Sequence, residues 1–199
     1  VVVLNINQDW IVNACQGDDE AFSKLVETYQ NPVYNMCYRM LGEAGAAEDA
    51  AQETFWRAYQ NLKRYDPQRS FSTWVLSIAA HYCIDQQRKR RIQLFELDEF
   101  PDFDLGDPNL PTPEKQVSTN EEDGALHQLI NSLQPTDRAA IILKYWHECS
   151  EEEIAEMLDL TISAVKSRLH RSRKQLANLI QETTPSPENE RRKNESPAL

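Results

Sequence analysis

Between Lys166 and Lys174 the chain places five cations, Lys166, Arg168, Arg171, Arg173 and Lys174, and no anion. Side chains of that kind at that density hold a polyanion, and a nucleic-acid backbone is the polyanion that a helical array of them fits. A second constellation lies mid-chain. Arg57, Lys63, Arg64 and Arg69 interleave with Trp56, Tyr59, Tyr65, Phe71 and Trp74, and the run closes on Arg88-Lys89-Arg90-Arg91. Cations beside aromatic faces suit a single strand, because the backbone is held electrostatically while each unstacked base finds a π surface worth about 1–3 kcal/mol. Within this run Phe71 and Trp74 read as core residues, and Tyr65, in the turn-rich stretch Tyr65-Asp66-Pro67-Gln68-Arg69-Ser70, is the better candidate for touching a base.

Other chemistries find little support. The chain has no P-loop, G-x-G-x-x-G, H-E-x-x-H or nucleophile elbow, so it does not read as an enzyme and implies no cofactor. His81 with Cys83 and His147 with Cys149 supply four zinc-type ligands, yet positions i and i+2 of a helix diverge by about 200°. Core thiols and surface imidazoles are expected instead, with no metal site. None of the four cysteines forms a CxxC pair.

Charge divides the chain more sharply than its total suggests. Lys plus Arg number 21 against 32 Asp plus Glu in 199 residues, a net of −11. Residues 1–56 carry 2 basic and 9 acidic side chains, whereas 57–93 carry 8 basic and 2 acidic. Residues 94–125 hold 1 basic and 10 acidic residues with Pro101, Pro108, Pro111 and Pro113, the composition of an extended linker that buries too little apolar surface to order itself. The expected organisation is a helical domain at 8–92, an acidic linker at 93–121, a second helical domain at 122–181 and a disordered tail at 183–199. No apolar run reaches 18 residues, and Val1-Val2-Val3-Leu4 has neither basic flank nor sufficient length for a signal peptide, so a cytoplasmic protein without membrane insertion is expected.

The elements that must position these residues all read as helix, since apolar residues recur at three and four rather than at two. Ala21, Phe22, Leu25, Val26 and Tyr29 make one stripe, capped by Asp18 or Asp19, and Pro32 is expected to kink that helix or begin a new one. Ala51, Phe55, Ala58, Tyr59 and Leu62 make another, and Trp74, Ile78, Tyr82 and Asp85 a third. After the linker, Leu126, Leu129, Ile130 and Leu133 share a face, with Pro135 at the first turn of the next helix. The fold class is all-α.

The sharpest local signal is Ser150-Glu151-Glu152-Glu153, a capping box that starts a helix at Glu151. Asp159 suits a left-handed turn position, Leu160 an anchor in the core and Thr161 the cap of the following helix. In that helix Val165, Leu169, Ser172 and Leu176 face inward, leaving Ser163, Lys166, Ser167, His170, Arg171 and Lys174 outside. Two helices joined by about three residues, the second basic on its outer face, suit the major groove. Lys166, Arg168 and Arg171 are candidates for phosphate or guanine contacts, a bidentate one being worth about 1–3 kcal/mol of discrimination.

Three strings, in order, resemble the extracytoplasmic-function, or group 4, sigma factors of bacterial RNA polymerase across nearly the whole chain apart from the tail. They are Ala47-Glu48-Asp49-Ala50-Ala51-Gln52-Glu53-Thr54-Phe55, then Phe71-Ser72-Thr73-Trp74-Val75 through Ile78-Ala79, then Ser150 to Ala155 with Val165 to Arg171. The resemblance implies a two-domain factor, sigma regions 2 and 4, that binds core RNA polymerase and directs initiation at promoter DNA. It implies that Asp49, Gln52, Glu53 and Phe55 contact the β′ clamp helices. Asn61, Tyr65, Arg69, Ser70, Thr73, His81, Arg88 and Lys89 would melt and read the −10 element, with His81 standing where the family commonly has Asn. Ser163, Lys166, Ser167, Arg168, His170, Arg171 and Lys174 would read the −35 element, with region 4 near the β flap, and an anti-sigma partner is implied.

The linker passes a reach test. Its 28 residues from 94 to 121, at about 3.3 Å each, span roughly 90 Å, whereas contacts two duplex turns apart are about 70 Å distant. A helix-turn-helix repressor or response regulator, and a promoter-independent adaptor protein, are the competing readings. Residues 47–91 discriminate, because neither alternative requires them.

Overall fold

The computed structural model describes residues 8–67, 69–98 and 121–183. The expected tail beyond Thr183 and residues 99–120 of the linker expected at 93–121 lie outside the described residues, whereas 93–98 continue the helix that starts at Phe71. Every regular element among the described residues is helical. Four helices, α1 (Gln8–Cys15), α2 (Asp19–Leu41), α3 (Ala44–Asn61) and α4 (Phe71–Asp98), make the first group, with a single 3₁₀ turn at Leu62–Arg64. Four more, α5 (Glu121–Asn131), α6 (Pro135–Tyr145), α7 (Glu151–Met157) and α8 (Ile162–Thr183), make the second.

Helix α2 is the axis of the first group. Asp18 caps it, its carboxylate accepting from the amides of Glu20 and Ala21 at 2.9 and 3.1 Å, and Gly42 ends it in the left-handed region at φ 77°. The helix runs through Pro32 without a break, so of the two expectations no new helix starts there. Magnitudes explain this. An interior proline costs about 3 kcal/mol, while Val33, Met36 and Met40 beyond it are each wholly buried and each stabilises by about 1.5–3 kcal/mol.

The buried face of α3 is also turned from the expected one. Ala47, Ala50, Thr54 and Ala58 are inside, Ala51 and Phe55 are half-buried, and Tyr59 is exposed. Three alanines at that spacing let α3 approach α2 closely, and the Thr54 hydroxyl is satisfied by donating to the Ala50 carbonyl at 2.7 Å.

Helix α4 departs furthest from a one-sided stripe. Phe71, Thr73, Val75, Leu76, Ala79, Ala80, Cys83 and Ile84 are buried, Trp74, Ile78 and Tyr82 are half-buried, and Asp85 is exposed. The cause is packing from two sides, because α4 touches α2 and α3 within its own group and α6 and α7 of the other. The two groups therefore share one continuous apolar core.

Cys37, Cys83 and Cys149 are buried free thiols and Cys15 is half-buried. Burial raises the Cys15 and Cys149 thiols, the latter to about 11, and a hydrogen bond with Cys37 together with burial raises Cys83. Among the described residues no group of three or more His, Cys, Asp or Glu side chains is placed to hold a metal ion. Nor is any described helix long and apolar enough to cross a membrane.

His147, in the α6–α7 connection, is buried, and its Nε2 has no hydrogen-bond partner. Burial, with nearby Arg39, lowers its pKa to about 4. The unfolded chain therefore takes up a proton near pH 6.5 that the folded chain refuses until about pH 4. This contribution is complete above pH 6.5 and shrinks as pH falls through that window, by about 3 kcal/mol at most. Urea unfolding from pH 7 to 4.5 is expected to show a steeper loss for the native chain than for His147→Leu.

Candidate nucleic-acid interface

The helix-turn-helix forms as its residues dictate. The Ser150 hydroxyl accepts from the Glu153 amide at 3.1 Å, and the Glu153 carboxylate accepts from the Ser150 amide at 2.8 Å. Asp159 takes the left-handed conformation at φ 53°, the Leu160 amide closes onto Ala155 at 2.9 Å, and Thr161 caps α8 by accepting from Ala164 at 3.1 Å. Val165, Leu169 and Ser172 are buried and Leu176 half-buried, while Ser163, Lys166, Ser167, His170, Arg171 and Lys174 are exposed. The outward face is a continuous cationic strip, with Lys166 held 3.6 Å from Glu151 of α7.

Arg168 does not belong to that strip. Its guanidinium turns inward and donates to Asp137 of α6 at 2.6 Å, where both side chains are largely shielded. This pair sets the angle at which α8 sits on α6, so Arg168 positions the cationic face. The sequence hint was the spacing itself, since Arg168 lies one residue from the inward-facing Leu169.

In the first group a cavity of about 380 Å³ opens between α3 and α4, lined by Arg57, Asn61, Arg64, Trp74, Ser77, Ile78 and His81. The volume suits one unstacked base, with an indole beside it and cations for the flanking phosphates. Asn61 donates to the Arg57 carbonyl at 2.9 Å, and His81 Nδ1 stands 2.9 Å from the Ser77 carbonyl.

Asn61 and His81 are where the sequence reading put them. Tyr65 is not: only 6% exposed, it packs on Phe71 and Trp74 at centroid distances of 5.6 and 4.9 Å. Its hydroxyl donates to the Arg69 carbonyl, so the ring braces the loop from inside, and burial raises its pKa to about 12. Thr73 is likewise buried. Arg69, Ser70, Arg88 and Lys89 are exposed. Trp74, assigned to the core from sequence, forms a wall of the cavity, and Arg57, Arg64, Ser77 and Ile78 were missed as walls because their grouping depends on how α3 meets α4.

A different surface runs along α3. Asp49 and Gln52 are exposed, and Phe55 is half-buried. Glu53 pairs with Arg57 at 2.7 Å. Trp56, one turn beyond Gln52, is 57% exposed and stacks with Tyr59 at 6.5 Å. An exposed indole is a frequent anchor of protein contacts.

Family models match both groups of helices. Sigma-70 region 2 matches residues 25–92, and Sigma-70 region 4 matches residues 123–176. The ECF RNA polymerase sigma factor SigW of Bacillus subtilis (strain 168) is 37% identical over 182 residues, covering 84% of this chain and 92% of that protein. The ECF RNA polymerase sigma-E factor of Haemophilus influenzae is 30% identical over 172 residues, covering 83% of this chain and 90% of its own. In fold, the chain superposes on CnrH, solved in complex with the cytosolic domain of CnrY, with a TM-score of 0.65 at 24% identity, covering 89% of this chain and 98% of that one. The chain belongs to the extracytoplasmic-function sigma factors, and as an alternative sigma factor it directs transcription initiation.

The Arg168–Asp137 pair yields a stability prediction separable from DNA contact. Arg168→Ala and Asp137→Ala are each expected to cost about 1–2 kcal/mol of folding stability. The double variant should cost little more than either single, whereas Lys166→Ala leaves stability within about 0.5 kcal/mol. Denaturant midpoints of the four proteins check this.

Proposed function

We propose that residues 8–92 form a module that docks on core polymerase and captures the −10 element, and residues 122–181 a module that reads the −35 duplex, with 93–121 as the tether. Docking falls to the α3 surface, through Asp49, Gln52, Glu53, Phe55 and Trp56. The partner surface is the β′ clamp helices, with the β flap near the second module. One unstacked −10 base enters the cavity between Asn61, Trp74 and His81, and Arg64, Arg69, Arg88 and Lys89 hold phosphates. The exposed α8 strip of Ser163, Lys166, Ser167, His170, Arg171 and Lys174 enters the major groove. The protein acts in the cytoplasm, carries out no catalysis of its own, and is held inactive by an anti-sigma protein.

The observation that carries this reading is the inward turn of Arg168 beneath an outward cationic strip. A solvated amphipathic helix in a protein of net charge −11 has no need of a cationic face braced to that degree. A repressor accounts for α8 alone, but leaves the α3 surface and the cavity without a task.

Purified chain with core polymerase is expected to give transcripts that start at defined promoters, and the chain without core to give none. Lys166→Ala and Arg171→Ala should each lower promoter-specific initiation about tenfold, as the loss of one good base contact of about 1–3 kcal/mol requires. Transcription from a preformed bubble, which needs no −35 reading, should change little. Mapped 5′ ends provide the measurement, and specific initiation without any dependence on this chain would refute the proposal.

A further inference from the structure

A second cavity, of about 490 Å³, opens where residues 88–92 of α4 meet the first turn of α6 and Arg168 of α8. Three guanidinium groups line it, those of Arg88, Arg91 and Arg168. Arg88 and Arg91 stand three positions apart and so share one face of α4.

Carboxylates answer these cations only in part. Arg168 is taken up by Asp137 at 2.6 Å. Arg88 has Asp85 at 3.9 Å, with both side chains well exposed, whereas Arg91 donates to the neutral Gln134 carboxamide at 2.6 Å. More positive charge lies close by. Arg138 of α6, held by the Ile130, Met40 and Asn131 carbonyls, has its pKa lowered to about 10 by burial and then by the charge of Arg91. Arg91 and Arg138 thus repel one another across the α4–α6 contact, a cost that an anion in the cavity would offset. The Gln134 side chain, turned to Arg91, does not cap α6, and the first turn of that helix brings Thr136 to the wall.

The rest of the wall is apolar. It consists of Ile92, 56% exposed, and Pro135. We propose that this cavity is a binding site for a nucleoside di- or polyphosphate, with the phosphates on Arg88, Arg91 and Arg168 and the nucleoside against Ile92 and Pro135. Planar guanidinium forks hold phosphate oxygens in pairs. A nucleic-acid strand sets its phosphates out along a line, whereas these three forks converge on one volume, as adjacent phosphates of a small molecule require. The volume is in the range of small-molecule sites, about 300–1,000 Å³, and leaves room beyond a diphosphate group. Arg88 is also among the residues assigned to −10 phosphates, so an occupied cavity withdraws a cation from that set. This consequence rests on the −10 assignment; the site itself does not.

Equilibrium dialysis of the purified full chain, at about 150 mM salt to screen diffuse attraction, provides the test. The probes are guanosine and adenosine 5′-diphosphates, the two nucleosides, and inorganic pyrophosphate. One saturable site is expected for at least one of the nucleotides, with pyrophosphate at least tenfold weaker and the nucleosides not retained. Arg91→Ala should weaken nucleotide binding about tenfold or more, as the loss of a charge-assisted hydrogen bond requires. Ile92→Asp, which brings an anion to the wall, should do the same. Both positions are exposed, and an unchanged circular dichroism spectrum would show that the fold is kept. Arg173→Ala removes a cation of α8 that does not line the cavity, and affinity should stay within twofold. Absence of a saturable site, or an equal loss with Arg173→Ala, overturns the proposal. Pyrophosphate bound as tightly as the nucleotides overturns the nucleoside assignment. An Arg91→Ala chain that keeps nucleotide affinity but forms promoter complexes with a shallower salt dependence marks a DNA phosphate contact instead, and also overturns it. Because binding is read on the free chain, failure of promoter-specific initiation would leave this result standing.

Discussion

The end of α2 is the point on which the two halves of the molecule turn. Gly42 in the left-handed conformation stops that helix, its amide closing onto Tyr38 at 2.8 Å. The Met40 carbonyl is left without a helical partner and accepts from Gln87 of α4 and from Arg138 of α6. One donor ties α4 to its own group and the other joins the groups. A side chain at position 42 would be strained by its φ of 77°, so the glycine serves the helix end, while the space towards Asn131 of α5, 3.5 Å from a Cβ there, is that of an ordinary contact.

Once the joint is made, the cations divide into two classes. Arg138 and Arg168 point inward, satisfied by helix ends and by Asp137. Lys166, His170, Arg171 and Lys174 point outward. Counting positive charge along α8 does not separate them. What does is whether a carboxylate or carbonyl lies on the inner side of the helix, as Asp137 does for Arg168, and that follows from how α6 and α8 cross. A protein of net charge −11 thus presents a concentrated positive strip, bordered by Glu151 at 3.6 Å from Lys166, which confines attraction for a polyanion to one face.

Short-range features of the chain were legible from the residues alone. The Ser150–Glu153 box, the left-handed Asp159, the Thr161 cap and the inward register of Val165, Leu169 and Ser172 each depend on neighbours within about one helical turn, and local physical chemistry decides them. The Asp18 cap and Pro135 at the start of α6 are of the same kind. Features that depend on tertiary context were not legible. Whether Tyr65 meets a base or fills the space beside Phe71 and Trp74 is set by how the loop folds back over α4. The unbroken passage of α2 through Pro32 is set by how much lies buried on both sides of it. The doubled burial of α4 reflects the second group of helices lying against it, a partner no periodicity within α4 announces.

The sulfur chemistry of the chain has an implication for how signals can reach it. Thiolate is the reactive species, and a thiol such as Cys149, raised to about 11, is ionised in roughly one molecule in ten thousand at neutral pH. Cys83 is raised too and sealed inside the helical core. Peroxides and electrophiles therefore find almost nothing to modify at these two sulfurs. A redox signal that reached the chain through sulfur would have to act elsewhere than at Cys83 and Cys149.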